Sequence, residues 1–163
     1  MNPWRPVLAI WLLACCVCSC AHTVPQQTTS PTIAAAFFAL SVSDLEGMAA
    51  WYTANLGFKV ELRSDPKNGG PRGAILVRDG ARLELLEFAS ARPRTAWGLP
   101  AEAEQVHGIL KIGFEVSDID RLFAAVQERH LNLFFPLVTP PGSSLRTFGL
   151  RDPDGNIVQF FGR

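Results

Sequence analysis

Apolar and polar side chains alternate in two stretches of the chain, residues 36–42 and residues 110–116. Successive side chains of a β-strand point to opposite faces, so this alternation is typical of a strand that is buried on one face. In the first stretch the apolar face comprises Phe38, Leu40 and Val42. Each stretch therefore predicts a half-buried strand.

Helical spacing of apolar residues follows each predicted strand. In the first segment Ser43 and Glu46 have the spacing of a capping box, and Gly57 is a typical helix end. In the second segment Ser117 is the predicted N-cap. The buried faces predicted by this spacing are Leu45, Met48, Ala49, Tyr52 and Leu56 in the first helix, and Ile119, Leu122, Phe123 and Val126 in the second.

Three further strands are predicted after each helix. They cover 58–62, 74–77 and 82–88 in the first segment, and 131–138, 145–150 and 156–161 in the second. The dipeptide Asp79-Gly80 predicts a hairpin turn. Residues 152–155, Asp-Pro-Asp-Gly, have the residue order of a type I turn. Both segments thus have the order strand, helix, strand, strand, strand.

The two segments are also similar in sequence. Residues 42–46 read Val-Ser-Asp-Leu-Glu and residues 116–120 read Val-Ser-Asp-Ile-Asp, at an offset of 74. The Arg-Asp pairs at 78–79 and 151–152 recur at an offset of 73. A repeat at nearly constant spacing indicates a duplicated structural unit. We therefore predict an α+β fold of two tandem βαβββ modules with a cleft between them.

Charge and cysteine content exclude some classes of protein. The chain of 163 residues has 15 basic and 15 acidic side chains and no block of like charge, so we expect no nucleic-acid partner. All four cysteines, Cys15, Cys16, Cys18 and Cys20, lie near the N-terminus. The rest of the chain therefore has no disulfide framework.

The N-terminal segment has the features of a secretory signal. Arg5 precedes an apolar run over residues 7–18, which is shorter than the roughly 20 residues that a membrane-spanning helix needs. Residues 17–21, Val-Cys-Ser-Cys-Ala, resemble the cleavage box of bacterial lipoproteins. This resemblance implies a signal peptide over residues 1–19 and a lipid on Cys20.

A lipid on Cys20 would hold the protein in the periplasm, attached to the membrane only through that lipid. Residues 20–33 would then form a flexible tether, because they are mostly polar and include two prolines. Ala21 resembles the residue found after the cysteine in outer-membrane lipoproteins. Two alternatives are open: cleavage before Cys15, and a soluble secreted protein without the lipid.

The predicted modules carry motifs of a known superfamily. Residues 40–58, which include Trp51-Tyr52 and Leu56-Gly57-Phe58, and residues 152–156, Asp-Pro-Asp-Gly-Asn, resemble the vicinal oxygen chelate superfamily. That superfamily includes glyoxalases, extradiol dioxygenases and bleomycin-resistance proteins. The resemblance implies paired βαβββ modules that curl around a shared cleft. The implied domain covers residues 34–163, with module 1 at about 34–89, a connection at 90–108 and module 2 at about 109–163.

The resemblance also identifies four positions of a candidate site. Metal-dependent members of the superfamily take one ligand from the first strand and one from the last strand of each module. The corresponding residues of this chain are Phe37, Glu84, Lys111 and Gln159. A catalytic metal needs about three His, Cys or carboxylate ligands, and only Glu84 qualifies. We therefore expect no metal and no other cofactor, and we expect the four residues to bind a small-molecule ligand.

The positive charge of Lys111 could replace that of the metal ion found in metal-dependent members. We hypothesise that its ammonium group occupies the centre of the site and contacts the Glu84 carboxylate and the Gln159 carbonyl, because an unpaired carboxylate on a cleft wall is unfavourable. The ammonium group could then bind an anionic or carbonyl-bearing ligand. Two other interpretations are open: the pair only fills an inactive site, or Lys111 points to solvent.

Further side chains could extend this site. The expected apolar wall comprises Phe37, Leu86, Phe88 and Phe161. Glu115 has the same strand parity as Lys111, so it is either a second cleft carboxylate or a solvated residue. Trp97 belongs to the long connection, and it could cover the mouth of the cleft or pack between the modules.

Three functions fit these features, and we favour the first. It is a membrane-anchored periplasmic protein that binds a small organic ligand in a metal-free cleft, similar to the drug-sequestering members of the superfamily. The second is a glyoxalase- or epimerase-type lyase or isomerase, with Glu84 as base and Lys111 stabilising an enolate. The third is a structural or partner-binding envelope lipoprotein. We also expect a homodimer, because members of the superfamily close the cleft within one chain or across a two-fold axis.

Overall fold

A computed structural model describes residues 35–66 and 68–163. The first module comprises β1 (Phe38–Ser41), α1 (Leu45–Leu56), β2 (Lys59–Ser64), β3 (Arg72–Arg78) and β4 (Ala81–Glu87). The second comprises β5 (Lys111–Val116), α2 (Ile119–Glu128), β6 (Leu133–Val138), β7 (Arg146–Arg151) and β8 (Ile157–Gly162). Two short 3₁₀ helices, Arg94–Trp97 and Ala103–Gln105, lie in the connection. The predicted signal peptide, Cys20 and the tether lie outside the described residues.

Each module forms one four-stranded sheet, and the two sheets have equivalent strand orders. The orders are β1-β4-β3-β2 and β5-β8-β7-β6. The first strand of each module runs parallel to the last, and the other neighbours are antiparallel. Helix α1 packs on β3 and β4, and α2 packs on β7 and β8. This arrangement confirms the predicted α+β fold of two tandem βαβββ modules.

The two helices begin one residue later than predicted. Asp44, not Ser43, caps α1, and its side chain accepts hydrogen bonds from two backbone N–H groups of the first turn. Asp118, not Ser117, caps α2 in a similar way. A carboxylate at this position also interacts favourably with the positive end of the helix dipole. Glu46 forms ion pairs with arginines of β2 and β3 instead of closing the predicted capping box.

The predicted turns are confirmed. Gly57 ends α1 with a φ of 68°. Asp79 and Gly80 have φ values of 48° and 86°, as the two-residue turn of a tight hairpin requires. In the second hairpin the Gly155 N–H donates to the Asp152 carbonyl over 2.9 Å.

The alternation predicted for the first strand is confirmed, although β1 is shorter than the predicted stretch. Phe38 and Leu40 pack against the core, and Val42 just after the strand is buried. Phe37, just before the strand, is 60% exposed. Among the described residues no helix is long and apolar enough to cross a membrane.

Aromatic and polar contacts join the two modules. The ring of Phe114, on β5, lies 5.7 Å from that of Phe38 and 5.7 Å from that of Phe58, measured between centroids. The Tyr52 hydroxyl on α1 donates a hydrogen bond to the Asp152 carboxylate of the second module over 3.0 Å, and both side chains are buried. These contacts fix the modules against each other.

The buried Tyr52–Asp152 pair has perturbed acidities. Burial raises the pKa of Tyr52, and the negative charge of Asp152 raises it further. Burial also raises the pKa of Asp152, although hydrogen bonds from Asn156 and Tyr52 act in the opposite direction. Tyr52 is therefore the donor in this pair.

Candidate functional site

The strand register places Glu84 and Gln159 at equivalent positions of the two sheets. Glu84 lies on β4 between two buried leucines of the core, so its side chain points to the sheet face opposite α1. Gln159 lies on β8 between two buried core residues and points away from α2. We call these two surfaces the helix-free faces.

Phe37 and Lys111 lie on the same helix-free faces. Phe37 is two residues before Ala39, which pairs with Glu84 across β1 and β4. Lys111 is two residues before Gly113, which pairs with Gln159 across β5 and β8. Because strand side chains alternate, Phe37 shares a face with Glu84, and Lys111 shares a face with Gln159. The four predicted residues thus lie two by two on separate sheets.

The predicted contact of Lys111 with Glu84 and Gln159 is wrong. Among the described residues Lys111 forms no ion pair with Glu84 and no hydrogen bond with Gln159. The Lys111 side chain is exposed, so water solvates its ammonium group at a lower cost than burial against one carboxylate would impose. The structure agrees with the alternative in which Lys111 points to solvent.

Thr147 orients the Gln159 amide instead. Nε2 of Gln159 donates to the Thr147 hydroxyl over 2.7 Å, and that hydroxyl donates to the Phe160 carbonyl over 2.7 Å. A hydroxyl has one hydrogen, so Thr147 can only accept from Gln159. The amide oxygen must therefore point away from Thr147. This oxygen, Oε1, is buried and has no hydrogen-bond partner within the described part of the chain.

Glycines flank Gln159 on both neighbouring strands, Gly113 on β5 and Gly149 on β7. The Phe135 ring packs on Gly149, where a Cβ atom would lie 2.6 Å from it. At Gly113 a Cβ atom would be 3.6 Å from its nearest neighbour, which is ordinary contact. Of the two glycines beside Gln159, Gly149 is therefore tightly packed, whereas Gly113 has room for a Cβ atom.

The expected apolar wall is largely open to solvent. Phe37 is 60% and Phe88 41% exposed, whereas Leu86 and Phe161 are half-buried. Trp97 is 71% exposed. Phe37, Phe88 and Trp97 are therefore accessible to a ligand or to another protein.

A cavity of about 110 Å³ adjoins Lys111 at the boundary between the modules. It is also lined by Leu40 of β1 and by Asp154, Gly155 and Asn156 of the β7–β8 hairpin. This cavity contacts the second module's candidate site at Lys111 only.

The residues of the candidate site do not fit a metal ion. Phe37 has no donor atom, Lys111 carries a positive charge, and the Gln159 oxygen is a weak ligand. Within residues 35–66 and 68–163 no group of three or more His, Cys, Asp or Glu side chains could hold a metal ion. The side chains at these four positions therefore do not support a metal-dependent step.

Sequence reasoning missed the surroundings of Gln159. Thr147 and Gly149 alternate with the buried Phe148 and Leu150 along β7, so their shared face could have been read from the pattern. Their position beside Gln159 depends on the pairing of β7 with β8, which the sequence does not specify. The contact of Phe135 with Gly149 likewise depends on the irregular pairing of β6 with β7.

Fold and site together define a tandem βαβββ protein with few metal-binding donors at the four predicted site positions. Residues 34–160 match the family model of the Glyoxalase/Bleomycin resistance protein/Dioxygenase superfamily. The chain belongs to this superfamily. No curated protein matches the sequence.

Solved structures with the same fold are distant in sequence. A glyoxalase family protein from Enterococcus faecalis is 18% identical, with a TM-score of 0.62, over 80% of this chain and 96% of that one. A glyoxylase/bleomycin resistance protein/dioxygenase domain from Frankia sp. is 20% identical, with a TM-score of 0.65, over 81% and 93%. TioX from Micromonospora sp. is 23% identical, with a TM-score of 0.58, over 78% and 98%. At these identities the similarity shows the fold alone.

Proposed function

We propose that this protein binds a small organic ligand on its helix-free faces without a metal ion. One observation carries the proposal: Oε1 of Gln159 is buried without a hydrogen-bond partner in the described part of the chain. An unsatisfied buried acceptor costs about 1–3 kcal/mol, which a donor group of a ligand would recover. The neighbouring Phe135 ring would turn aside to allow direct contact.

The charged groups of these faces are free to bind a ligand. Among the described residues neither Lys111 nor Glu84 has a partner in a salt bridge or hydrogen bond. Lys111 can donate to a carbonyl or an anionic oxygen, and Gln159 can accept from an N–H or O–H group. An amide-bearing compound offers both groups side by side. We therefore propose an amide-rich, partly aromatic ligand, whose apolar part Phe161 would contact, because Phe161 lies on the same sheet face as Lys111 and Gln159.

A ligand screen tests this proposal. The panel comprises bleomycin as an amide-rich compound, α-keto acids, and a hemithioacetal of a thiol, and the readout is the shift of the melting temperature. We expect stabilisation by the amide-rich compound, unchanged by EDTA. Lys111→Met and Gln159→Leu should each weaken its binding by about tenfold, the loss of one good hydrogen bond.

Arg121→Met is the control, because Arg121 is an exposed basic residue of α2 and so lies away from the helix-free faces. Unchanged binding in both site variants would refute the proposal, as would a stoichiometric divalent ion in the purified protein. Turnover of the hemithioacetal that is lost in Glu84→Gln would instead favour the lyase or isomerase function.

We further propose that a lipid on Cys20 anchors the protein in the periplasm. The support is the resemblance of residues 17–21 to a lipoprotein cleavage box, and a pair of substitutions distinguishes Cys20 from Cys15. Cys20→Ala should abolish incorporation of labelled palmitate and release the protein from the membrane fraction. Cys15→Ala should leave both unchanged, and the reverse result would assign cleavage to Cys15.

A further inference from the structure

A cavity of about 330 Å³ lies where the β3–β4 hairpin of the first module meets the end of β5 in the second. Its volume is within the range of small-molecule sites, which begins at about 300 Å³. Phe37, Glu84, Lys111 and Gln159 do not line it. It is therefore distinct from the candidate site, although Glu115 in its lining lies on the same face of β5 as Lys111.

The duplication allows a comparison with the corresponding junction in the other half of the molecule, which hydrogen bonds join and which borders only the smaller cavity of about 110 Å³. There the Ser43 backbone N–H donates to Asp154 of the β7–β8 hairpin over 2.8 Å, and the Ser43 hydroxyl bonds the same carboxylate. Ser117 matches Ser43 in the repeat. Within the described residues, Ser117 makes no such bond to the β3–β4 hairpin and lines the cavity instead.

Tyr52 also closes the first junction, and its counterpart in the repeat is the smaller Val126. The Tyr52 hydroxyl bonds Asp152, whose counterpart in the repeated Arg-Asp pair is Asp79. Asp79 has no phenol partner among the residues that the structure describes, and it lines the cavity. The second junction has thus lost both closing contacts of the first.

Three phenylalanine rings line the cavity, those of Phe58, Phe114 and Phe160. The face of a phenyl ring carries partial negative charge and attracts cations. The ring pairs Phe58–Phe114 and Phe114–Phe160 have centroid distances of 5.7 Å and 5.9 Å, so the three rings are contiguous.

The charged lining has an excess of one negative charge. Nε of Arg78 donates to Asp79 over 3.1 Å, and the same guanidinium also bonds the Leu56 carbonyl, so Arg78 and Asp79 balance each other. Glu115 lines the cavity too, and in the described part of the chain it has no ion-pair partner. Strand β5 is at the edge of its sheet. A cavity beside the end of β5 can therefore be lined by residues from both faces of that sheet.

We infer that this cavity binds a small organic monocation with an apolar ring or chain. The phenyl rings would contact the apolar part and the cationic group, and the Glu115 carboxylate would balance its charge. The size of the cavity favours a small ligand, and its net negative charge disfavours an anion.

Titration of the purified protein with benzyltrimethylammonium, followed by NMR, tests this inference. We expect saturable shifts at residues of the cavity, and weaker binding of the neutral benzyl alcohol and of the anion phenylacetate. Glu115→Gln, which keeps the side-chain shape, should weaken binding of the cation by about fivefold, as expected for one solvent-accessible charge. Ala81→Ile, which fills the cavity, should abolish it.

Glu128→Gln is the matched control, since it removes an exposed carboxylate of α2 that does not line the cavity and should leave cation binding unchanged. Equal affinity for phenylacetate, or binding that neither cavity variant alters, would overturn the inference. The bleomycin screen depends on Lys111 and Gln159, whereas the cation titration depends on the cavity residues. A negative result in one experiment therefore does not affect the other.

Discussion

At the scale of single residues, the orientation of Gln159 follows from one hydroxyl. The Thr147 hydroxyl donates its hydrogen to the Phe160 carbonyl, so it can only accept a hydrogen bond from Nε2 of Gln159. Oε1 of Gln159 therefore points to a position without a donor in the described part of the chain. The superfamily resemblance identified Gln159 from the sequence. It did not identify Thr147, because Thr147 is twelve residues from Gln159 and contacts it only through strand pairing.

Thr147→Val tests this arrangement. The change keeps the side-chain shape but leaves the Phe160 carbonyl and the Gln159 amide N–H without their partner, which should lower the free energy of unfolding by about 1–3 kcal/mol. Gln159→Leu removes an already unsatisfied acceptor together with one bond, so we expect a smaller loss. Urea unfolding of both variants measures the difference, and a larger loss for Gln159→Leu would contradict the assigned orientation.

At the scale of strands and helices, the hydrophobic pattern predicted every element of the two modules, but their contacts depend on pairing. Asp residues cap both helices where serines were predicted, and Ser43 bonds the opposite module instead. Gly113 and Gly149 are both glycines beside Gln159, but their surroundings differ, since only Gly149 lies under an aromatic ring.

Gly149→Ala and Gly113→Ala form a matched pair of substitutions in strands. The Cβ atom at Gly149 would overlap the Phe135 ring, so we expect a loss of about 1–3 kcal/mol. At Gly113 a Cβ atom would make only ordinary contacts, so alanine should be neutral or stabilise by up to about 1 kcal/mol, because it restricts the unfolded chain. Thermal unfolding measures both; equal losses would show that Phe135 does not pack on Gly149.

At the scale of the whole molecule, a buried phenol–carboxylate pair links α1 to the second module. Burial raises the pKa of Asp152 above its ordinary 3.8, so the folded state binds that proton more readily than the unfolded chain does. The contribution of Asp152 to the free energy of unfolding is therefore largest below 3.8 and falls as the pH rises through the raised pKa.

Tyr52→Phe should lower the free energy of unfolding by about 1–3 kcal/mol at neutral pH, where it deprives a buried carboxylate of a donor. The loss should shrink in acid, because the protonated carboxyl needs that donor less. Phe58→Leu removes apolar area from the same cluster without contacting Asp152, so its cost should not depend on pH in this way. Urea unfolding at neutral and acidic pH compares them, and a constant cost for Tyr52→Phe would disprove the coupling.

The sequence by itself determined the duplicated βαβββ order, because alternation, helical spacing and turn residues are local properties that each module repeats. Together with the superfamily resemblance, it also predicted that Phe37, Glu84, Lys111 and Gln159 include too few donors for a metal ion, a prediction that rests on residue types. Only the tertiary structure decided that Lys111 stands apart from Glu84, that Thr147 orients Gln159, and that Ser43 bonds the opposite module while its counterpart Ser117 lines a cavity. Such contacts join residues far apart in the chain, and small differences in packing between two similar modules decide whether they form.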